Sequence, residues 1–155
     1  MSIYGSMTAT ADARGAAYCV LVDPDKIAAD KLPAFTEQAT ASGVDIFLVG
    51  GSLIVDDSFE RCIRTMKQHT NVPVVIFPGG VMQISKEADA LLFLSIISGR
   101  NPEHLIGSQV LAAPIVRKIG LEAISTAYMI VESGRTTSAE FMSNTRPLPR
   151  HKPDI

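Results

Sequence analysis

Five short apolar runs, separated by amphipathic stretches, constrain the fold of this chain more than any other feature. They are AAYCVLV at residues 16–22, VDIFLVG at 44–50, VPVVIF at 72–77, ALLFLS at 90–95 and ISTAYMIV at 124–131. Each is nearly continuous in apolar character rather than alternating, which is the pattern of a strand covered on both faces in a parallel sheet. Helices must supply that cover. The stretch 30–42 carries Leu32, Phe35 and Ala39 and closes at Gly43, while 57–69 carries Phe59, Ile63 and Met66 at helical spacing. The stretch 102–118 starts with Pro102 in a first-turn position, ends in basic residues and is followed by Gly120. The connection at 82–89 has room for only a turn or two of helix. Strand then helix, repeated at this spacing, predicts a parallel α/β sheet with right-handed crossovers.

Five such units form either a complete doubly wound domain or part of an eight-stranded barrel. After Gly134 the chain runs through TTSAEFMSNTRPLPRHKPDI, which shows no core pattern of its own, and Pro153-Asp154 reads as the first turn of a further helix. The expectation is a single partial TIM-barrel domain over 1–155: the first five βα units of a (β/α)8 barrel, with the last three missing.

Composition narrows the function classes. Fourteen Lys and Arg against 16 Asp and Glu leave a net charge of −2, which removes the electrostatic case for a nucleic-acid partner. An apolar fraction of 46% supports a packed core. No apolar run has the roughly 18 to 20 residues needed to span a membrane, and MSIYGSMTATADARG lacks the pattern of a secretory signal. A cytoplasmic protein with at most peripheral membrane contact is expected. Cys19 and Cys62 have no CxxC spacing and read as reduced core residues.

Every strand runs into Gly or a short polar residue: Asp23-Pro24-Asp25, Gly50-Gly51-Ser52, Pro78-Gly79-Gly80, Ser98-Gly99-Arg100-Asn101 and Glu132-Ser133-Gly134. In parallel α/β folds ligands bind at the carboxyl ends of the strands, where glycines let backbone approach a phosphate. Asp23 and Ser52 end neighbouring strands, so a carboxylate and a hydroxyl can reach one Mg²⁺ and the phosphate it carries. Asp-Pro-Asp is also an ordinary turn sequence, and Ser52 can equally cap a helix.

The runs YCVLVDPDK, VDIFLVGGSLIV, FPGGVMQIS, LFLSIISGRNPEHLIGSQVLAAP and AYMIVESG together resemble the geranylgeranylglyceryl phosphate synthase family, the prenyltransferases related to heptaprenylglyceryl phosphate synthase. The resemblance implies a (β/α)8 barrel that joins the free hydroxyl of sn-glycerol 1-phosphate to an isoprenoid diphosphate with Mg²⁺ assistance, the reaction of a phosphoglycerol geranylgeranyltransferase. It puts Asp23 and Ser52 on the metal-binding positions. Asp25, Lys26, Gly50, Gly51, Gly79 and Gly80 are the substrate-binding candidates, and Tyr128 and Glu132, on the strand beside the glycerol phosphate pocket, are the catalytic ones. An even spacing puts Tyr128 and Glu132 on one face of a regular strand. The prenyl groove is expected along Ile46, Leu48, Val74, Ile76, Leu92 and Leu94. His104 and Arg100 look less engaged.

Two departures from the family pattern stand out. Leu21 occupies the position where one branch has a Lys, and the family's acid-base glutamate and later Gly-rich turns have no counterpart here. The 155 residues alone are therefore expected to be inactive, and homo-oligomerisation is expected of the full-length enzyme. Two other readings remain. One is a five-stranded flavodoxin-like phosphoacceptor or binding domain, although Phe77-Pro78-Gly79 lacks the Asp such a domain needs. The other is a half-barrel that assembles with itself through open edge strands.

Overall fold

The computed structural model describes residues 2–51 and 58–152. Among them, strands β1 (Cys19–Val22), β2 (Ile46–Val49), β3 (Val74–Ile76), β4 (Ala90–Ile96) and β5 (Glu122–Tyr128) form one parallel sheet in the order β1-β2-β3-β4-β5. That order decides the architecture. A doubly wound domain must reverse its strand order at a switch point, whereas strands paired strictly in chain sequence form an arc of a barrel. The flavodoxin-like reading is excluded on this ground.

The two faces of the sheet explain the unbroken apolar runs. Phe47, Val49, Val74, Ile76 and Leu91 point outward and pack against Leu32 of α2 (Leu32–Ala41), against Phe59, Ile63 and Met66 of α3 (Ser58–His69), and against Val116 of α4 (Ser108–Ile119). Ile46, Val75, Ala90, Leu92 and Ile124 form a second cluster on the inner face. Alternate residues of one strand thus serve two cores, and both must be apolar. Val74 and Ile76 therefore belong to the sheet–helix core, not to a groove wall as the sequence reading had it.

A helix missed by periodicity, α1 (Ile3–Arg14), closes the amino-terminal end of the barrel arc. Its sequence has no apolar stripe, and distant groups hold it instead. The Glu122 carboxylate at the start of β5 accepts hydrogen bonds from the Ile3 and Tyr4 amides at 2.7 and 2.9 Å, which places a negative charge at the positive end of the helix. At the other end Arg14 pairs with Asp45, just before β2, at 2.6 Å. Ile3 and Met7, one turn apart, then pack on the inner cluster. With this end covered, the carboxyl ends of the strands are left for chemistry.

Two further segments differ from the sequence reading. The third predicted helix begins with a π-helical turn, Glu103–Gly107, before α4. The segment after Gly134 is ordered and carries a short helix, α5 (Ser138–Ser143), set by a capping box: Thr137 Oγ1 accepts from the Glu140 amide at 3.3 Å and Glu140 Oε2 from the Thr137 amide at 2.9 Å. The Ser143 carbonyl accepts the Arg100 and Asn101 amides at 2.9 and 3.0 Å, docking α5 on the loop after β4. Leu148 makes an isolated parallel bridge to Val131. Thr137→Ala should remove about 1 kcal/mol from α5, read as roughly fivefold faster amide exchange at Phe141 and Ser143. The expected helical turn at Pro153-Asp154 lies outside the described residues.

Both cysteines are free. Burial pushes the Cys62 thiol up to about 11, and burial with the nearby Asp45 charge raises that of Cys19. At pH 8 only about one Cys62 in a thousand is thiolate, so iodoacetamide should alkylate it at least about a hundred times more slowly than an unburied cysteine. No helix among the described residues is long and apolar enough to cross a membrane.

Candidate functional site

A cleft of about 260 Å³ opens at the carboxyl ends of the strands. Its head is built from the loops that follow β1, β2 and β3: Asp23, Lys26, Gly50, Gly51, Gly79 and Gly80. Its other end runs along Leu92 and Leu94 of β4, passes Ala112 of α4 and reaches Met142 of α5. The short connection 82–89 has no helix, so Ile84 lines the cleft where a crossover helix would otherwise cover β4. The cleft thus carries the charged pair at one end and mainly apolar walls, interrupted by His104, Ser108 and Gln109, at the other.

Asp23 is the charged centre of the head. Lys26 Nζ lies 2.6 Å from its Oδ2, and the Asp25 amide donates to its Oδ1 at 3.2 Å. The Lys26 side chain is 81% exposed, so the pair is a solvated one with little weight for stability. Asp25 points elsewhere. It accepts from Ser58 Oγ at 3.5 Å and lines a separate hollow beside Arg61, where it holds the loop to the start of α3.

The glycines line the cleft and also let the loops meet. A Cβ on Gly50 would fall 1.8 Å from the Phe77 carbonyl oxygen, one on Gly79 would fall 2.1 Å from the Gly51 carbonyl oxygen, and one on Gly51 would fall 2.8 Å from Asp23 Oδ1. They are glycines because the three loops touch. Their amides are already engaged: Gly50 N–H donates to the Val22 carbonyl at 3.1 Å, and those of Gly51 and Gly79 donate to Gln83 Oε1 at 3.4 and 3.0 Å. Of the four glycine amides, that of Gly80 has no protein acceptor among the described residues, and a Cβ there would meet nothing within 4 Å. Gly80 thus lines the cleft with its amide uncommitted among the described residues.

Tyr128 ends β5 and lines the cleft, its ring edge-on to Phe77 with centroids 5.6 Å apart. Glu132 does not join it. β5 stops at Tyr128, so the even-spacing argument has no regular strand to act through, and Glu132 is exposed beside Arg135 in another hollow. Ser52 lies outside the described residues. His104, set aside in the sequence, lines the cleft from the π-helical turn. Arg100 donates to the Ser98 and Gly99 carbonyls at 3.3 and 3.0 Å and does not line the cleft. Sequence reasoning missed two residues. Gln83, 6% exposed, bridges the β2 and β3 loops. Gln109 donates from Nε2 to the Leu94 carbonyl, while its buried Oε1 has no partner among the described residues. The place of Gln83 in a short connection without a helix, directly after the Gly79-Gly80 turn, was the available signal for the first.

The sequence model of the PcrB family matches residues 11–155. The chain belongs to the PcrB family. Among relatives of this PcrB-family chain, the geranylgeranylglyceryl phosphate synthase of Chitinophaga pinensis is 46% identical over 138 residues, 89% of this chain and 55% of the relative. That of Flavobacterium johnsoniae is 47% identical over 136 residues, 88% and 56%. The chain spans about half the length of these curated relatives. The crystal structure of (S)-3-O-geranylgeranylglyceryl phosphate synthase from Thermoplasma acidophilum, in complex with its substrate sn-glycerol-1-phosphate, superposes with a TM-score of 0.89 at 28% identity, over 97% of this PcrB-family chain and 60% of that one. The five parallel units are accordingly those of a (β/α)8 barrel.

Proposed function

We propose that this chain carries the isoprenoid diphosphate site of a prenyltransferase that alkylates the hydroxyl of sn-glycerol 1-phosphate. One observation carries the reading: a single cleft joins the Asp23 head to a mainly apolar channel along β4, a shape that takes an anionic head and a long hydrocarbon tail together. The names of the relatives and the glycerol phosphate in the Thermoplasma acidophilum structure support the choice of acceptor.

Mg²⁺ fits this site on a restricted footing. No group of three His, Cys, Asp or Glu able to hold a metal occurs among the described residues, so among those residues a cation here would draw on one carboxylate, Asp23. Mg²⁺ accepts one or two carboxylates when substrate phosphates and water complete its shell. When bound with the diphosphate it would neutralise charge on the leaving group. Asp23 holds that head, Lys26 can leave Asp23 to face a phosphate oxygen, and Gly80 N–H donates to another. The channel walls exclude water from the allylic carbon. Tyr128 is positioned to orient the acceptor. The ether bond forms from the glycerol hydroxyl oxygen to the allylic carbon as the bond from that carbon to diphosphate oxygen breaks; pyrophosphate leaves with the electron pair and takes up, directly or through water, the proton that the hydroxyl gives up.

The test supplies the chain with the portion of the Chitinophaga pinensis enzyme that it does not match, then adds geranylgeranyl diphosphate, sn-glycerol 1-phosphate and Mg²⁺. Mass spectrometry should detect geranylgeranylglyceryl phosphate. Its absence, with the complementing portion shown to bind the chain, counts against the reading.

A further inference from the structure

We infer that Gln83 is the positioning residue of the diphosphate head, acting on Asp23 through Gly51; the inference rests on the reading of the cleft given above. One buried carboxamide makes three bonds to two loops. Its Oε1 accepts from the Gly79 amide at 3.0 Å and the Gly51 amide at 3.4 Å, and its Nε2 donates to the Gly51 carbonyl at 2.7 Å. Gly51 is therefore held at both its N–H and its C=O by one side chain, which fixes the orientation of both flanking peptides. The same Gly51 backs the Asp23 carboxylate so closely that a Cβ would come within 2.8 Å of Oδ1. Rotation of Gly51 out of its present orientation would open or close the space in which that carboxylate sits.

Glutamine is suited to this task where other residues are not. Two amide donors and one carbonyl acceptor must be met at once by a group carrying both functions on adjacent atoms. Glu would put a second acceptor against the Gly51 carbonyl, and Met would fill the volume while leaving three half-buried backbone groups without their side-chain partner. Gln83 also reaches across from the segment after β3, which its own amide ties to the Gly80 carbonyl at 3.1 Å. Gly80, the glycine with an open amide, is thereby held in the same frame as Asp23. Gln83 touches no reacting atom, so its effect must appear as coupling to Asp23.

The experiment is a double-mutant cycle read by isothermal titration of inorganic diphosphate with Mg²⁺ into the chain. Gln83→Met should weaken Mg²⁺-diphosphate binding about tenfold and Asp23→Asn about a hundredfold, with far-UV circular dichroism unchanged. The double variant should bind no more weakly than Asp23→Asn alone, because positioning a group that is gone has no value. Gly51→Ala, which leaves Gln83 in place, should also lose about tenfold and serves if Gln83→Met fails to fold. Wild-type affinity in Gln83→Met, or losses that multiply to about a thousandfold in the double variant, would overturn the role of Gln83 while leaving the cleft reading intact. A wild-type chain that does not bind Mg²⁺-diphosphate overturns both, and is recognised before any variant is made.

Discussion

Asp23→Asn is expected to weaken Mg²⁺-dependent binding of a prenyl diphosphate by about a hundredfold or more, while the fold stays intact. Asn preserves the shape of the side chain and its ability to accept the Asp25 amide, but removes the one carboxylate that lines the cleft among the described residues. A cation that draws on a single protein carboxylate loses most of its protein attachment with that charge. Folding should be little affected, because the ion pair with Lys26 is solvated. Titration with EDTA present supplies the control: without Mg²⁺ the variant and the wild type should bind the ligand about equally. A variant that binds normally with Mg²⁺ present would remove Asp23 from the site.

Gly50→Ala should have the largest effect on stability. The added methyl would lie 1.8 Å from the Phe77 carbonyl oxygen, and the obstacle is main chain at the end of β3, which no rotamer change can move. The ends of β2 and β3 must separate, which breaks the contact on which Gly51 and Gly79 are aligned. Overpacking of this severity costs about 3 kcal/mol or more, measurable as a lowered urea midpoint, with ligand binding lost at the same time. Gly80→Ala is the contrast, since a Cβ there meets nothing within 4 Å. It should shift stability by no more than about 0.5 kcal/mol.

The sheet was legible because its signal is local. Phe47 faces the helices and Ile46 the barrel interior, so both must be apolar, and continuous runs in sequence reported a two-sided sheet. Strand order was not legible: nothing in the composition of β1 to β5 states that each pairs with its chain neighbour, and the barrel reading drew on the pattern at the C-terminus and on the resemblance. Helix α1 escaped because its support is distant, in Glu122 and Asp45, rather than in its own apolar pattern. Helix α5 escaped for a different reason. Its signal, Thr137 three residues before Glu140, was present but stood in a segment read as having no core pattern of its own.

The site divided in the same way. Asp23, the glycines and Tyr128 end strands, and the ends of parallel strands converge on one cleft wherever the sheet is correctly read. Glu132 was placed by extending strand parity beyond the point where β5 stops. The loop contacts of Gly50, Gly51 and Gly79 were not legible because a glycine in sequence does not state whether its missing Cβ admits a ligand or another loop. Gln83 could be found only in three dimensions, since its partners Gly51 and Gly79 are brought together by the pairing of β2 with β3.

The most direct test of the cleft is a crystal structure of the chain with geranylgeranyl thiodiphosphate, which resists ionisation, and Mg²⁺. The account predicts the diphosphate at Asp23 and the Gly80 amide, with the tail running past Leu92 and Leu94 toward Met142. A tail lodged between α2 and α3, or a diphosphate bound away from Asp23, would contradict it.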